Sequence, residues 1–354
     1  MREGGIVPGG ATGRGPAPGA DGSPARTQVE AGPALRKVDL HVHTAFSSFR
    51  HLKFLRARDS YNDPLSVYER CRAVGCDYVA ITDHDTIDGA LDLLSRRGDL
   101  EPTVIIGEEV ESFFPETGQW VHVNVLGVDE AIHEDLQRAK GNVYELVGHL
   151  RSRGLVHFLN HPLQSYRMQR KPMRFVEDVL DLFTHVELGN GTLPPGQNRA
   201  AAGILEYGRR MGLERFGVGG SDAHGLRPIG TYVTLAPGDD ARSWLASVAA
   251  GSCVVVGREI GLMELIGQVY GIVGRYYRRL GTAEGRREMS PANYLAAAGF
   301  VPICLVGVPL FMNLLSYFGT QGLSEVVRRS LLRSDPEAAE RSCVPAILQD
   351  EPEA

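Results

Sequence analysis

From Val38 to Gly257 the chain alternates short apolar runs with stretches of helical periodicity, and this alternation limits the architectures open to it. The runs predict strands at Val38–Val42, Tyr78–Thr82, Thr103–Ile106, Val121–Val128, Val156–Leu159, Val186–Leu188, around Val218 and at Cys253–Val256. One intervening helix opens at Pro64 and sets Leu65, Tyr68, Cys71 and Val74 about one turn apart. Another runs from Ile87 to Leu94 and closes on Arg96, Arg97 and Gly98, a basic last turn followed by a glycine cap. Alternation of this kind points to βα units around a parallel sheet or barrel. It does not by itself separate a closed barrel from an open, doubly wound sheet.

The predicted strands share a second property, which concerns chemistry. His41 and His43 flank Val42 at the end of the first run, and residues two apart on a strand face the same side, so both imidazoles can reach one ion. The second run ends in Thr82-Asp83-His84-Asp85, the third in Gly107-Glu108-Glu109, and the fourth contains His122. Asn160-His161-Pro162 follows the fifth, and Ser221-Asp222-Ala223-His224 follows the run at Val218. Taken singly these residues are ordinary. His122 in an apolar strand reads as a core histidine, His161 before proline as a turn residue, and Asp222 as a helix N-cap. Their joint occurrence at successive strand ends, where α/β barrels build their sites, favours one shared centre. Imidazoles mixed with carboxylates suit zinc, manganese or iron, and several of each suit a multinuclear centre.

Five segments, Asp39-Leu-His-Val-His-Thr, Ile81-Thr-Asp-His-Asp-Thr-Ile-Asp-Gly, Gly107-Glu-Glu-Val, Leu159-Asn-His-Pro and Gly220-Ser-Asp-Ala-His, resemble the ordered motifs of the polymerase and histidinol phosphatase (PHP) domains. The resemblance covers roughly Val38 to Gly257. It implies a distorted (β/α)7 barrel, with two or three divalent ions (zinc, manganese or iron) at the C-terminal face of the strands. Carried over by motif, His41, His43, Glu109 and Asp222 would hold one ion, with Glu109 bridging to a neighbour completed by His122 and His161. His84 and His224 would serve the remaining position. The family often has an Asp or His five or six residues after the second motif histidine, where this chain has Ser48 and Phe49. The third position is therefore either weakly held or absent, or supplied by His51 or Asp59.

The activity implied is hydrolysis of a phosphomonoester or phosphodiester by metal-activated water. The substrate would be a small phosphorylated metabolite, a nucleotide or an oligonucleotide end. Asp85 is placed to orient a ligand histidine or shuttle a proton, and Arg227, three residues past His224, to grip a phosphate. Glu187 and Asn190 are secondary, supporting candidates. Two basic clusters, Arg50, Lys53, Arg56 and Arg58, and Arg167, Arg170, Lys171 and Arg174, could hold a polyanion or simply face solvent. His133, His149, His157 and His185 belong to no motif. Two other classes stay open: an amidohydrolase-type metal barrel, disfavoured by the lack of a bridging lysine, and a non-catalytic metal-binding scaffold. At 354 residues the chain is too short for a replicative polymerase.

Outside this region, residues 1–35 are rich in Gly, Pro and Ala and read as a disordered tail, and the acidic stretch 335–354 reads likewise. The metallohydrolase domain is expected over 36–260 and a helical appendage over 261–334. Within the appendage Leu262–Leu280 predicts a helix. The apolar stretch 300–318 would span about 28 Å as a helix, close to a bilayer core, and is a candidate for membrane association. The competing expectation is a buried helix or helical hairpin packed on the barrel or on a second subunit. Net charge is −6, so no global basic field draws in nucleic acid or anionic lipid. Five cysteines without a CxxC, and no apolar stretch behind a basic N-terminus, predict reduced thiols and a cytoplasmic protein. Oligomeric state is not legible.

Overall fold

The computed structural model describes residues 34–47, 58–164, 166, 171–287, 290–305, 307–334 and 347–348. Its strands are β1 (Leu35–Val38), β2 (Val79–His84), β3 (Val104–Phe114), β4 (Gln119–Leu126), β5 (Val156–Leu159), β6 (His185–Asn190), β7 (Phe216–Gly220), β8 (Tyr232–Pro237), β9 (Val254–Gly257) and β10 (Ile347–Leu348). They form two sheets, β2-β3-β4-β5-β6-β7 and β1-β8-β9-β10.

The six-stranded sheet curls until its two outer strands meet a common partner. The Thr82 N–H of β2 donates to the Val42 carbonyl at 3.0 Å. Across the gap, the His43 N–H donates to the Ala223 carbonyl at 3.1 Å, and the Ala223 N–H to the His41 carbonyl at 3.2 Å. The segment His41–His43 is thus a seam that closes the sheet. Close approach there requires Gly220, because a Cβ at that position would lie 2.5 Å from His41 Cβ and 2.7 Å from His41 N. The result is a barrel-like mixed α/β fold.

The parallel arrangement expected from the βα alternation fails at β4, which runs antiparallel to both β3 and β5. The connection between β3 and β4 is a short turn through Gly118 at positive φ, with no helix to carry the chain back. β3 also continues well past Ile106. The apolar pattern stops there because the strand's inner face changes from core residues to the buried carboxylate of Glu109.

Side-chain alternation sorts the core. Ala80, Ile105, Leu126 and Phe158 turn inward with Leu40, Val218, Ala236 and Trp244 and fill the floor of the curl. Val79 and Ile81 turn outward onto α1 (Pro64–Ala73) and α2 (Asp88–Arg96). Asp63 starts α1 by accepting the Leu65 and Ser66 N–H groups, with Pro64 following at the first helical position. The remaining barrel helices are α3 (Glu130–Ala139), α4 (Val143–Ser152), α5 (Pro172–Leu182), α6 (Pro195–Arg210) and α7 (Ala241–Ala249). Val147, Val179 and Ile204, from α4, α5 and α6, join the largest apolar cluster.

A helix over Leu262–Leu280, α8, forms as expected. It is followed by α9 (Ala283–Arg287), α10 (Pro291–Gly299), α11 (Val301–Leu305) and α12 (Val308–Ser334). The stretch 300–318 is not one helix: α11 ends at Leu305, and α12 begins only after Gly307, which has φ +91°. Among the described residues no helix is long and apolar enough to cross a membrane, so the membrane expectation finds no support. Instead Val327 and Leu331 of α12 are buried in the largest cluster, with Leu331 Cδ1 3.3 Å from where a Cβ on Gly203 would sit. Cys71, Cys76 and Cys253 are free thiols.

Candidate metal centre

The inward-facing ladder of β2 and β3 pairs Ala80 with Ile105, Thr82 with Gly107 and His84 with Glu109. Each rung is one step nearer the mouth, so the ladder passes from core to chemistry in two steps. Gly107 is needed in the middle rung, where a Cβ would come within 2.7 Å of the Val125 carbonyl oxygen. β4 brings His122 opposite Glu111, and because β4 runs backwards, this early residue of the strand reaches the same end as the late residues of its neighbours. The antiparallel strand thus accounts for a histidine that strand-end reasoning alone fits poorly.

Glu109 is fully buried, and its two carboxylate oxygens face different sets of imidazoles. Oε1 lies 2.9 Å from His122 Nδ1 and 3.0 Å from His161 Nε2, and accepts from Asn160 Nδ2 at 2.8 Å. Oε2 lies 3.2 Å from His41 Nε2, 3.3 Å from His43 Nε2 and 2.9 Å from His84 Nδ1. Asp222 completes the group. Its Oδ2 accepts from Asn190 Nδ2 and Thr192 Oγ1, at 3.2 and 3.0 Å. Its Oδ1 is left to face His43 Nε2 at 3.3 Å, with His41 Nε2 and His224 Nδ1 each at 3.5 Å.

The supporting residues fix which ring nitrogen is offered. Glu187 Oε1 lies 2.9 Å from His41 Nδ1, so that nitrogen carries the proton and Nε2 turns a lone pair to the centre. Glu187 Oε2 accepts the His161 N–H and Asn190 Nδ2, at 2.8 and 2.9 Å, which ties β6 to the turn after β5. Asp83, buried behind the site, accepts from both Thr44 N and Thr44 Oγ1 and holds the chain just past His43. The non-glycine residues with positive φ among those described are Asp85, His161 and Asp222, at 54°, 27° and 54°. All three directly follow strands of the centre, so local backbone strain is concentrated where the side chains must be aimed.

Asp59, one of the two alternatives for the third position, is fully buried with Oδ2 3.3 Å from His84 Nε2 and 3.8 Å from His224 Nε2. Ser47 Oγ donates to the same oxygen at 3.0 Å and lies 3.2 Å from His43 Nδ1. His51, Ser48 and Phe49 lie outside the described residues, as do Arg50, Lys53, Arg56, Arg167 and Arg170 of the basic clusters.

Four overlapping triads have ligand atoms close enough for one ion: His41–His43–Asp222, His41–Glu109–His161, His84–Glu109–His122 and His43–His84–His224. All eight residues expected as ligands fall in this set. His84 differs slightly from expectation, since it faces Glu109 and His122 as well as His224.

The electrostatics show carboxylates and imidazoles competing for the same protons. Burial opposes charge on Glu109 and Asp222, yet His84 and His41 beside the first, and His41 and His224 near the second, hold both well below the usual carboxylate range. Burial also opposes the His84 imidazolium, but Glu109 and Asp59 outweigh it and push its pKa up to about 10. His43 goes the other way, down to about 3, through burial and the neighbouring His224. The ionised carboxylates and the neutral His43 are in the state a cation requires, whereas His84 and His41, whose pKa the same carboxylates raise, would have to give up a proton to bind one. His43 Nε2 and Glu109 Oε2 are buried and make no hydrogen bond, although they face each other. Converging lone pairs without protons between them fit a divalent ion.

Two candidates stand apart from the ligand set. Asp85 lines the cleft and, among the described residues, bonds to no ligand histidine. Its Oδ1 accepts the Glu111 N–H at 3.1 Å, and its Oδ2 lies 3.0 Å from Lys140 Nζ. Arg227 does not line the metal cleft but a neighbouring chamber. Sequence reasoning also missed the roof. The metal cleft, about 830 Å³, is walled on one side by Leu265, Gln268, Val269 and Ile272 of α8. An amphipathic helix announces that it has an apolar side, but not which surface that side covers.

No protein-family model matches the chain. An uncharacterized protein of Methanocaldococcus jannaschii is 34% identical over 74 residues, which is 21% of this chain and 43% of that protein. The match thus spans less than half of that relative's length. Among solved structures, a proposed metal-dependent phosphoesterase from Bifidobacterium adolescentis aligns at 17% identity, over 62% of this chain and 98% of its own, with a TM-score of 0.42. PsfC from Pseudomonas syringae aligns at 17% identity over 69% and 98%, with a TM-score of 0.46. An amidohydrolase from Chromobacterium violaceum, with bound sulfate and no metal, aligns at 17% identity over 53% and 87%, with a TM-score of 0.39. These likenesses are distant, and the case for a metal centre rests on the side chains.

Proposed function

We propose that this protein is a metal-dependent hydrolase of PHP type that cleaves phosphate esters, acting on a phosphorylated small molecule or a nucleic-acid end. The observation that carries the reading is Glu109. One buried carboxylate presents Oε1 to His122 and His161, and Oε2 to His41, His43 and His84, as a ligand bridging two ions would. His41, His43 and Asp222 would hold one ion and His122 and His161 its neighbour, while His84, His224 and Asp59 would serve a third. Bound divalent ions supply positive charge for phosphate oxygens and make water more acidic near neutral pH.

The chain's own groups do the rest. Glu187 fixes the His41 tautomer, and Asn160 and Asn190 hold Glu109 and Asp222 in orientation. The cleft is lined by Trp120 and Lys140, an aromatic surface beside a cation, which suits an organic phosphate. Asp85, anchored by the Glu111 N–H and Lys140, is a carboxylate at the cleft that could take up the proton given off by the attacking water. An amidohydrolase-type centre is less well supported. Glu109 stands in the central position, and the cleft's lysine, Lys140, is engaged by Asp85.

The test is elemental analysis of the purified protein together with hydrolysis of an aryl phosphate, in wild type and in Glu109→Gln. Two or more metals per chain, with turnover that disappears along with them, is the expected result. Bound metal with turnover of amides or lactones but of no phosphate ester would overturn the substrate class. A metal-free protein would overturn the whole reading.

A further inference from the structure

Beside the metal cleft lies a second cavity of about 500 Å³, enclosed between the loop after His224 and the face of α8. His224, Gln268 and Ile272 line both spaces, so the two chambers share a wall. The second chamber is basic. Arg227 comes from the loop after His224, Arg258 from the residue following β9, and Arg275 from α8, and Glu264 is the acid that lines it. Arg258 is bound to Glu264 by two hydrogen bonds of 3.0 and 2.8 Å, and Arg227 lies within electrostatic reach of the same carboxylate without bonding to it.

The other two guanidiniums have no carboxylate partner among the described residues. Arg275 Nη1 donates to Asn62 Oδ1 at 3.3 Å and lies 3.5 Å from the His224 carbonyl oxygen, which anchors one edge of its fork against the metal-site loop. Gly225 leaves room for it, since a Cβ there would sit 3.2 Å from Nη1. Gln268 Nε2, in the shared wall, is a buried donor with no partner. Open space lies over Gly267 and Gly271, where an added Cβ would meet nothing within 4 Å. Two guanidiniums without a bonded carboxylate, an orphan amide donor and free volume are what a carboxylate or phosphate needs for multidentate recognition.

We propose that this chamber is an anion subsite of the metal cleft, which receives a second carboxylate or phosphate group carried by the same substrate molecule. The proposal rests on the phosphoesterase reading for the identity of the reacting group, but the subsite stands on its own residues. It deepens that reading by naming the substrate class: a phosphate ester with a second anion remote from the bond that breaks. Binding energy from that remote group would fix the reacting phosphate in the cleft.

Two measurements on the intact, metal-loaded protein test it. The first compares phosphate esters of one alcohol series that end in a remote phosphate, a remote carboxylate or a neutral hydroxyl. In wild type, one of the two anionic series should be hydrolysed with the lower KM, and which one it is identifies the group. Arg227→Gln, chosen because the residue holds nothing else in place, should raise KM for the anionic series about tenfold or more. Its kcat, and both constants for the hydroxyl comparator, should stay within about twofold of wild type. Equal behaviour of the three series in wild type, or an equal change in all three in the variant, would overturn the subsite. The second measurement is a sulfate titration. Wild type should bind one more sulfate per chain than the Arg227→Gln/Arg275→Gln double variant, and equal stoichiometry would again overturn it. A sulfate lost in the double variant with no ester turned over would leave the subsite standing and sink the phosphoesterase reading. Turnover without discrimination among the series would do the reverse.

Discussion

β5 carries one histidine near its start and another just past its end, and the two have little in common. His157 uses Nδ1 to donate to the Leu155 carbonyl at 2.8 Å. His185, at the start of β6, uses Nε2 in the same way towards the Val248 carbonyl, also at 2.8 Å. Each satisfies one nitrogen with one backbone group, and burial lowers the pKa of both. At the other end of the same strand, His161 meets Glu109 and shares its surroundings with His41 and His122. The floor of the curled sheet uses histidine as an amphipathic filler, whereas the mouth gathers it around carboxylates. Residue type is the same at both ends. What distinguishes them is whether a buried carboxylate faces the ring, and the floor offers only carbonyls.

That contrast predicts a division of labour, in which mouth substitutions cost function and floor substitutions cost stability. The largest effect is expected for Glu109→Gln, which should lower aryl phosphate turnover on the order of 10³-fold and release metal, read by steady-state kinetics and elemental analysis. Retention of full metal content would contradict a bridging role. At the floor, Trp244 is fully buried and its Nε1 donates to the Arg36 carbonyl at 3.0 Å. Trp244→Ala should cost about 3–5 kcal/mol in urea unfolding while the folded fraction keeps its metal. A metal loss as large as that of Glu109→Gln would erase the distinction between the two ends.

Glu187→Gln is the intermediate case, because it reaches the centre only through other residues, His41, His161 and Asn190. Metal affinity measured by chelator competition should fall about 10- to 100-fold without loss of fold. The smallest effect belongs to the floor histidines. Their folded pKa values lie below the ordinary 6.5. The unfolded chain therefore binds more protons than the folded one as pH drops below that value. Their contribution is present in full above about pH 6.5 and is lost as pH falls toward the folded values. Urea midpoints followed from pH 7.5 down to 5.5 should decline less steeply in His185→Gln than in wild type, and an identical slope would remove the histidine from the account.

Much of the mouth was legible because ligands sit where an apolar run stops, a punctuation that survives in one dimension. His41, His43, His84, Glu109, His161 and Asp222 could be read in that way. Strand direction has no such mark, so β4 was taken as one more parallel unit and His122 fitted only loosely. β8 was missed as a strand, although Tyr232, Val233 and Thr234 carry the β-branched and aromatic signal. Both faces of that strand are largely buried, and no period of two stands out. The partners of Asp85 could not be read, because Lys140 and the Glu111 N–H lie in other elements of the fold. Asp59 remained one of two choices, since contact with His84 is a fact of three dimensions.

The seam at His41–His43 also sets the order in which the molecule can be completed. Ser221 Oγ reaches the His41 carbonyl across 180 positions of chain, so the closing contacts are among the most distant in sequence. Contacts of that span are the last a folding chain can profit from. During synthesis, a chain that has emerged only through β6 already holds His41, His43, Glu109 and His161 but has no edge to shut them against. The centre can be finished only when β7 and the loop carrying Asp222 and His224 arrive. Metal capture would therefore act as a clasp that fastens a ring already drawn together, and a fully loaded centre would certify that the barrel has closed.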